Sequence, residues 1–462
     1  MKSTLLFSIV LLLLCLLSDG VNAQSASAAQ ALTGKDPIII IPGLTGSELV
    51  NSRTGEEVWF RARRAKDDDI RLPIGPVISR SRDNLVTRDI IRSVKYLRIL
   101  PETEIYERLI NALEQRGGYK EGRWDAPLAN GHQDTFYVFP YDWRRDNVES
   151  ARQLVRQIDA LKRRLGKPNL KFNILAHSMG GLIARYAAMY GGSDLSAGAP
   201  RPTWAGARHI RRVFLLGTPN EGSVAAINAL INGFSFVGGG LNLPFIQDIN
   251  RFDVFSMPSI YQLLPHEGTL LAYDESLKPL QVNLYDPTVW EKFGWAPWQD
   301  GGFTKRLSTH EQRNARTFFR TTLARARRFQ AALDANTSMR VPVAFYLIGG
   351  DCKDTLNAMT ISFDQKKQRY ETSFKADSFT RADGEKVTSE QLKALLFAPG
   401  DSVVTKRSLA LETIVKDGRK SVLPITTEIF QCENHTKLVT SPGVQDRLLA
   451  LLAATESNLV GL

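Results

Sequence analysis

The clearest chemical feature of this sequence is Ser178, which stands in a tight turn between a predicted strand at residues 172–176 and helix-forming residues that follow it. Its neighbours Ala176 and Gly180 are small, as a strained and crowded turn requires, although Ala176 replaces the more usual glycine. A turn of this kind holds a serine hydroxyl out above a sheet edge as a nucleophile. We expect the N–H of Met179 to be one donor to the oxyanion that such a nucleophile creates.

A nucleophilic serine needs a general base, and the base needs an acid to orient it. After a strand–serine–helix turn, the acid and then the histidine follow in chain order. His435 fits this order because it lies between the last predicted strand, 421–429, and the closing helix, 444–454. A surface histidine is the alternative. The other histidines are less suited to this role. His132 precedes the serine, and His177 adjoins it as an expected packing residue. The remaining ones lie in less suitable segments: His209, His266 and His310.

Two carboxylates compete for the role of the orienting acid. Asp351 closely follows a predicted buried strand at residues 343–348. Asp401 follows Gly400 and precedes the β-branched pair Val403-Val404, in a loop that would also present a carboxylate. The chemistry of the residues leaves both open.

A second oxyanion donor is expected in the loop after an early strand. Residues 42–47 follow the isoleucine run Ile38–Ile41, and the N–H of Leu44 is the predicted donor. A simple structural turn is the alternative.

The elements that must carry these residues are buried strands alternating with amphipathic helices. Continuous apolar runs predict strands at 38–41, 135–139, 172–176, 213–216 and 343–348. Apolar residues at helical spacing predict helices at 105–113 and 154–165. The alternation predicts an α/β fold with a mainly parallel, doubly wound sheet, whose core we assign to residues 36–217 and 341–462.

The alternation breaks at residues 218–340, which we interpret as a cap or lid insertion. Residues 234–245 are apolar and glycine-rich without a clear period, so a mobile lid and a buried irregular loop both fit. Residues 310–333 predict a long helix with many arginines. A solvated face and a membrane-binding face both remain open for it.

The start of the chain has the parts of a secretory signal peptide, which we assign to residues 1–23. Lys2 precedes an apolar run at residues 5–17, and small residues close the segment at 21–23. The run is shorter than the roughly 20 residues that a membrane span needs, although a retained signal anchor is the alternative. Residues 24–35 predict a flexible lead-in, and the mature protein is expected to be exported, either secreted or periplasmic.

Composition limits the class of protein and its partners. With 43% hydrophobic and 23% charged residues over 462 positions, a disordered chain, a collagen-like repeat and a polytopic membrane protein are excluded. The formal charge of +11 favours anionic partners, and export argues against nucleic acid. Cys352 and Cys432 remain in the mature chain, where a disulfide and free buried thiols both fit. We expect no metal site and no cofactor.

At these residues the chain resembles the lecithin:cholesterol acyltransferase family, which includes lysosomal phospholipases and phospholipid:diacylglycerol acyltransferases. The motifs that carry the resemblance are IIPGLTGS at 40–47, FPYDWR at 139–144, AHSMGG at 176–181, LGTP at 216–219, GDSVV at 400–404 and HTKL at 435–438. The PYDWR string is the most specific, and its Asp-Trp-Arg part indicates a structural ion pair. The resemblance implies the α/β-hydrolase fold, Asp401 as the orienting acid, and a flexible lid at about 229–252.

One departure from the family concerns membrane docking. No cysteine lies between the first strand and the PYDWR string, so the disulfide-closed membrane-binding loop of some relatives is not expected. Residues 58–60, Val-Trp-Phe, stand there beside Arg61, Arg63 and Arg64. An interfacial patch and a buried aromatic with a solvated rim both fit this pattern.

The sequence therefore predicts a serine acyltransferase or lipase that acts on ester lipids at a membrane or lipid-particle surface. A soluble carboxylesterase or triacylglycerol lipase without a transferase role is the nearer alternative. The alternative from another class is a catalytically silent lipid-binding protein with a hydrolase-like fold.

Overall fold

The computed structural model describes residues 34–61, 70–94, 103–234, 249–336, 340–381, 383–412 and 423–454. The predicted signal peptide, residues 24–33 of the lead-in, and residues 235–248 of the predicted lid lie outside the described residues. Export and a lid therefore stay predictions.

A seven-stranded sheet forms the centre of the molecule. Numbered in chain order, its strands are β1 (Ile38–Ile41), β2 (Lys120–Glu121), β3 (Thr135–Val138), β4 (Phe172–His177), β5 (Ile210–Leu216), β6 (Ala344–Gly350) and β7 (Ile425–Gln431). They lie in the order β7-β6-β5-β4-β1-β3-β2, and each neighbouring pair is parallel. The predicted parallel sheet is confirmed, while the short strand β2 was not expected from the sequence.

Helices cover both faces of this sheet. In chain order they are α1 (Glu107–Asn111), α2 (Asn147–Arg164), α3 (Met179–Tyr190), α4 (Val224–Asn232), α5 (Arg251–Phe255), α6 (Pro258–Tyr261), α7 (Pro287–Lys292), α8 (Gly301–Arg306), α9 (Thr309–Leu333), α10 (Ser389–Leu396), α11 (Lys406–Ala410) and α12 (Pro442–Ala453). Short 3₁₀ or π turns occupy Ile78–Arg80, Ala112–Arg116, Ala205–Arg208, Pro297–Gln299 and His435–Val439.

The alternating side chains of β1 explain how the two faces are filled. Ile39 and Ile41 belong to a core shared with α2 and α3, whereas Ile38 and Ile40 belong to a second core shared with α1 and α12. A strand buried on both faces in this way requires a continuous apolar run. Helices on both sides of a parallel sheet, together with a serine turn between β4 and α3, define the α/β-hydrolase fold that the sequence predicted.

Small sheets lie beside the central one. They pair Ser47–Asn51 with Glu57–Trp59 and Leu85–Ile90, Ser93–Val94 with Thr103–Glu104, Ala358–Asp364 with Leu271–Tyr273 and Arg369–Ser373, Lys353–Leu356 with Phe397–Gly400, and Phe379–Thr380 with Lys386–Val387. The pairing of Lys353 with Gly400 matters most for function. Residues 357–396 lead away from the central sheet. The pairing brings the chain back beside the end of β6, and Asp401 is the next residue.

The segment that breaks the alternation is mainly helical in its described part, where α4 to α9 lie. Helix α9 buries Phe318, Phe319 and Leu323 in the core that it shares with α2 and α3. On its polar side, Arg325 forms an ion pair with Asp146, the residue whose side chain caps the N-terminus of α2. This ion pair ties α9 to α2, and the two alternatives for the remaining arginines of α9, a solvated face and a membrane-binding face, stay predictions.

The Asp-Trp-Arg part of the PYDWR motif is structural, as expected. The Arg144 side chain is fully buried, and its guanidinium lies 2.6 Å from Asp83 and 2.8 Å from Asp142. It also donates to the carbonyl oxygen of Ile70. Burial opposes the charge, but the two carboxylates outweigh it and raise the pKa of Arg144 above its ordinary value. The arginine thereby joins the excursion between residues 70 and 83 to the central sheet.

Replacing Arg144 should therefore destabilise the whole domain. We expect Arg144→Ala to lower the free energy of unfolding by about 3–5 kcal/mol, because it leaves two carboxylates near a buried site without their partner. Urea unfolding followed by tryptophan fluorescence measures the loss. Arg123→Ala is the control, since Arg123 forms an exposed pair with Asp125 and should leave the midpoint unchanged. Equal midpoints for the two variants would contradict this account.

Candidate active site

The turn between β4 and α3 presents Ser178 in a strained backbone conformation. Ser178 has φ 53° and ψ −127°, and its N–H donates to the carbonyl oxygen of Leu216 at 2.8 Å. A side chain at Gly180 would lie 2.4 Å from the carbonyl oxygen of Pro42, so only glycine fits where α3 begins against β1. The turn thus has the geometry of a nucleophile elbow, and the hydroxyl lies at the carboxyl edge of the sheet.

His435 lies beside this hydroxyl. Its Nε2 is 2.9 Å from Ser178 Oγ, and the histidine begins the 3₁₀ turn that follows β7. The backbone N–H of His435 donates to the carbonyl oxygen of Asp401 at 2.8 Å, which fixes the start of the turn. The side chain is 9% exposed, so most solvent is kept from the contact between the two residues.

Of the two carboxylates left open by residue chemistry, the structure brings Asp401 to His435. Asp401 Oδ2 lies 2.7 Å from His435 Nδ1, and Oδ1 accepts from the N–H groups of Val403 and Val404 at 3.0 and 2.7 Å. Asp401 is 1% exposed. A buried carboxylate with these donors is an acceptor on both oxygens, so His435 Nδ1 carries the proton and Nε2 can accept one from serine. Asp351 is partly exposed and, within the described residues, makes no hydrogen bond to a histidine side chain.

Gly217 leaves the space that this pair needs. It has φ 59°, and a Cβ at this position would lie 3.0 Å from both Asp401 Oδ2 and His435 Nδ1 and 2.8 Å from Leu438. The glycine follows β5, so the backbone of the central sheet itself forms the wall behind the acid and the base. Both the positive φ and the close neighbours disfavour a side chain here, and an added Cβ would push against the acid and the base.

The loop that follows β1 approaches the serine from the other side. A Cβ on Gly43 would lie 2.9 Å from Ser178 Cβ, so the backbone next to Leu44 is in close contact with the nucleophile. Tyr141 Oη donates to the Pro42 carbonyl, and the indole N–H of Trp59 donates to the Thr45 carbonyl. These two hydrogen bonds thus anchor the loop on both sides of Leu44. The roles of Leu44 and Met179 as oxyanion donors stay predictions.

Trp59, one of the two aromatic residues in segment 58–60, is buried, whereas Phe60 is half-buried. Trp59 is 1% exposed and packs edge-to-face against Trp143, with ring centroids 5.4 Å apart. Its indole is therefore part of the core beneath the loop after β1, which is the buried-aromatic alternative. Arg63 and Arg64 lie outside the described residues.

His177, interpreted from the sequence as a packing residue, makes specific polar contacts. Its Nδ1 lies 2.8 Å from Tyr106 Oη, and its Nε2 lies 3.2 Å from the carbonyl oxygen of His435. Burial, followed by the nearby His435, lowers the pKa of His177 to about 3. It is therefore neutral at any working pH. Neither contact can be predicted from the sequence, because Tyr106 and His435 both lie far from His177 along the chain.

The other histidines lie elsewhere. His132 is half-buried before β3, His209 contacts Lys162, His266 bonds to Asp334, and His310 is exposed on α9. None of the hydrogen bonds in the described residues joins them to Ser178.

Cys352 and Cys432 form a disulfide, with their Cα atoms 5.1 Å apart. The two cysteines follow β6 and β7, so the bridge joins neighbouring strand ends close to Asp401 and His435. Among the described residues no group of three or more histidine, cysteine or acidic side chains is arranged to hold a metal ion. Nor does any helix in those residues combine the length and apolarity needed to cross a membrane.

The fold and the Ser–His–Asp arrangement define the class of serine-dependent α/β hydrolases. The family model described as "Lecithin:cholesterol acyltransferase" matches residues 88–441, more than half of the chain. The chain therefore belongs to the lecithin:cholesterol acyltransferase family.

The chain is similar to a curated plant protein and to a solved structure. It is 24% identical over 258 residues to "Lecithin-cholesterol acyltransferase-like 4" of Arabidopsis thaliana, which covers 50% of this chain and 43% of that protein. The match thus spans less than half the length of that relative. Among solved structures, the Tle4–Tli4 complex superposes with a TM-score of 0.51 at 14% identity, covering 90% of this chain and 98% of the other. At that identity the likeness concerns the fold.

A side chain at Gly217 should disturb the acid and base without unfolding the protein. We expect Gly217→Ala to lower kcat for a p-nitrophenyl ester by about tenfold, because the added Cβ would displace Asp401 and His435 by less than the 1 Å that costs about a hundredfold. Gly166→Ala is the matched control, since Gly166 has φ 63° and nothing within 4 Å of an added Cβ. Both variants bear the backbone cost of positive φ. If both lose kcat equally, the space beside His435 is not the cause.

The neutral state of His177 predicts a pH dependence of stability. Its pKa is about 3 in the folded protein against 6.5 for an ordinary histidine, so the unfolded chain takes up a proton between these values and the folded chain does not. Its contribution is therefore complete above pH 6.5 and is lost as the pH falls toward 3, at about 1.4 kcal/mol per pH unit.

Urea unfolding between pH 7 and pH 4 measures this slope. His177→Gln, which does not titrate, should flatten the slope by nearly that amount. His310→Gln removes an exposed histidine and should keep the wild-type slope. A wild-type slope in His177→Gln would show that His177 is not buried as a neutral group.

Proposed function

We propose that this protein is an exported enzyme that cleaves a lipid ester through an acyl-serine intermediate and passes the acyl group to an alcohol or to water. The observation that carries the proposal is the continuous chain of hydrogen bonds from Asp401 through His435 to Ser178. Both contacts are of hydrogen-bond length, 2.7 Å and 2.9 Å, and the contact between Ser178 Oγ and His435 Nε2 is short enough for direct proton transfer.

In the first half of the reaction, Ser178 Oγ attacks the acyl carbonyl carbon while its proton moves to His435 Nε2. The carboxylate of Asp401 stabilises the imidazolium that forms. The N–H groups of Leu44 and Met179 donate to the oxyanion, a contribution that is typically worth about 10²–10³ in kcat per donor. The ester C–O bond then breaks, and the leaving alcohol takes the proton from His435.

In the second half, His435 accepts a proton from the acceptor, whose oxygen attacks the acyl-serine carbonyl. Ser178 leaves and regains its proton from His435. An alcohol acceptor yields a new ester, and water yields a free fatty acid. The triad performs the same steps in both cases, so the acceptor that reaches the acyl-serine decides between transferase and hydrolase.

Membership of the lecithin:cholesterol acyltransferase family supports a lipid as the acyl donor. The formal charge of +11 suits a membrane or lipid-particle surface with anionic headgroups. Export follows from the signal peptide predicted at residues 1–23. A catalytically silent lipid-binding protein is disfavoured, since nothing in simple binding requires a buried Asp–His–Ser chain.

Product analysis with phosphatidylcholine vesicles tests the proposal. We expect Ser178→Ala to lower acyl release at least about a thousandfold, because the acyl-serine cannot form. Ser196→Ala, which alters an exposed serine, should keep wild-type activity. Full activity in Ser178→Ala would refute the mechanism.

The same assay separates the alternatives when a long-chain alcohol is added. The transferase predicts a new ester in addition to free fatty acid. Free fatty acid alone in both conditions would leave a lipase. Fast turnover of short soluble esters without activation by vesicles would favour a soluble carboxylesterase.

A further inference from the structure

A chain of buried hydrogen bonds connects the two sides of the active site behind Ser178. The N–H of Gly43 lies 2.8 Å from Tyr106 Oη, and Tyr106 Oη lies 2.8 Å from His177 Nδ1. His177 Nε2 then lies 3.2 Å from the carbonyl oxygen of His435. We call these contacts the Tyr106–His177 chain.

Chemistry fixes the direction of every bond in this chain. The carbonyl oxygen of His435 can only accept, so His177 Nε2 must carry a proton. Neutral His177 then has an unprotonated Nδ1, which accepts from the hydroxyl of Tyr106. That leaves Tyr106 Oη to accept from the N–H of Gly43. All three bonds are satisfied in one arrangement of protons, and reversal of any one of them would leave a buried group without a partner.

The Tyr106–His177 chain of hydrogen bonds ends at the two parts of the site that must be aligned during catalysis. Gly43 precedes Leu44, whose N–H is the expected oxyanion donor. The other end is the backbone of His435, the general base, and the His177 and His435 rings pack with centroids 4.9 Å apart. Tyr106 and His177 are 2% and 8% exposed, so water does not readily replace these bonds.

We propose that Tyr106 and His177 are positioning residues that hold the oxyanion loop and the general base in register around Ser178. This inference rests on the proposed function and adds two residues to its machinery. Neither residue reaches the reacting atoms. Each acts through a backbone group, Tyr106 through the Gly43 N–H and His177 through the His435 carbonyl.

Removal of the Tyr106 hydroxyl should affect the transition state more than substrate binding. In Tyr106→Phe, the Gly43 N–H and His177 Nδ1 both lose their partner, and the loop is free to shift relative to His435. Because alignment matters most when the oxyanion forms, we expect kcat for a p-nitrophenyl ester to fall about tenfold to a hundredfold, with KM little changed.

Tyr119→Phe is the matched control. Tyr119 is also buried, and in the described part of the chain its hydroxyl has no hydrogen-bond partner. Loss of this hydroxyl should leave kcat at the wild-type value. A wild-type kcat in Tyr106→Phe, or a loss that appears only in KM, would overturn the proposal.

Substitutions of His177 separate positioning from simple packing. Glutamine carries an acceptor oxygen and a donor nitrogen on one carbon, as histidine carries its two ring nitrogens, so His177→Gln should keep most of the wild-type kcat. His177→Leu fills similar space without hydrogen bonds and should lose kcat as Tyr106→Phe does. Equal kcat values in the Gln and Leu variants would show that His177 only packs. Circular dichroism and the unfolding midpoint establish that each variant is folded before its kcat is compared.

Failure of this inference is distinguishable from failure of the proposed function. If Ser178→Ala is inactive while Tyr106→Phe keeps the wild-type kcat, only the positioning role is wrong. If Ser178→Ala is fully active, the serine mechanism itself is wrong.

Discussion

The hydrogen bond between Asp401 and His435, 2.7 Å long and almost fully buried, is the interaction on which the rest of the site depends. In the proposed mechanism it fixes the proton on His435 Nδ1 and thereby gives Nε2 the lone pair that accepts the proton of Ser178. A buried carboxylate is costly unless its oxygens have donors, and the backbone N–H groups of Val403 and Val404 supply them. The acid, the base and the serine come from three distant segments, so the fold must bring all three to one place.

The parallel sheet solves this problem by ending its strands at a common edge. Ser178 follows β4 and His435 follows β7, and between these strands β5 contributes the glycine that makes room for the acid and base. Asp401 reaches the edge by a different route, since the strand Phe397–Gly400 pairs back onto the segment after β6. The disulfide then joins the chain after β6 to the chain after β7. The site therefore rests on strand ends rather than on free loops.

The sequence predicted those parts that follow from local pattern. The isoleucine run of β1 and the apolar run before Ser178 are local signals of buried strands, and His435 followed from the chain order of serine, acid and histidine. Asp401 could be separated from Asp351 only through the family resemblance, because the pairing of Lys353 with Gly400 is a long-range contact without a local signature. The Tyr106–His177 chain was missed for the same reason. Its members come from separate elements and are ordinary residues until the fold brings them together.

The most direct test of this account is whether Ser178 is a nucleophile activated by its neighbours. Incubation of the mature protein with a fluorophosphonate, followed by mass spectrometry of the intact chain and its peptides, measures this. The account predicts one label per chain, carried by the peptide that contains Ser178, and labelling slowed by several orders of magnitude in Asp401→Asn. An unlabelled chain, a label on another residue, or equally fast labelling of Asp401→Asn would contradict it.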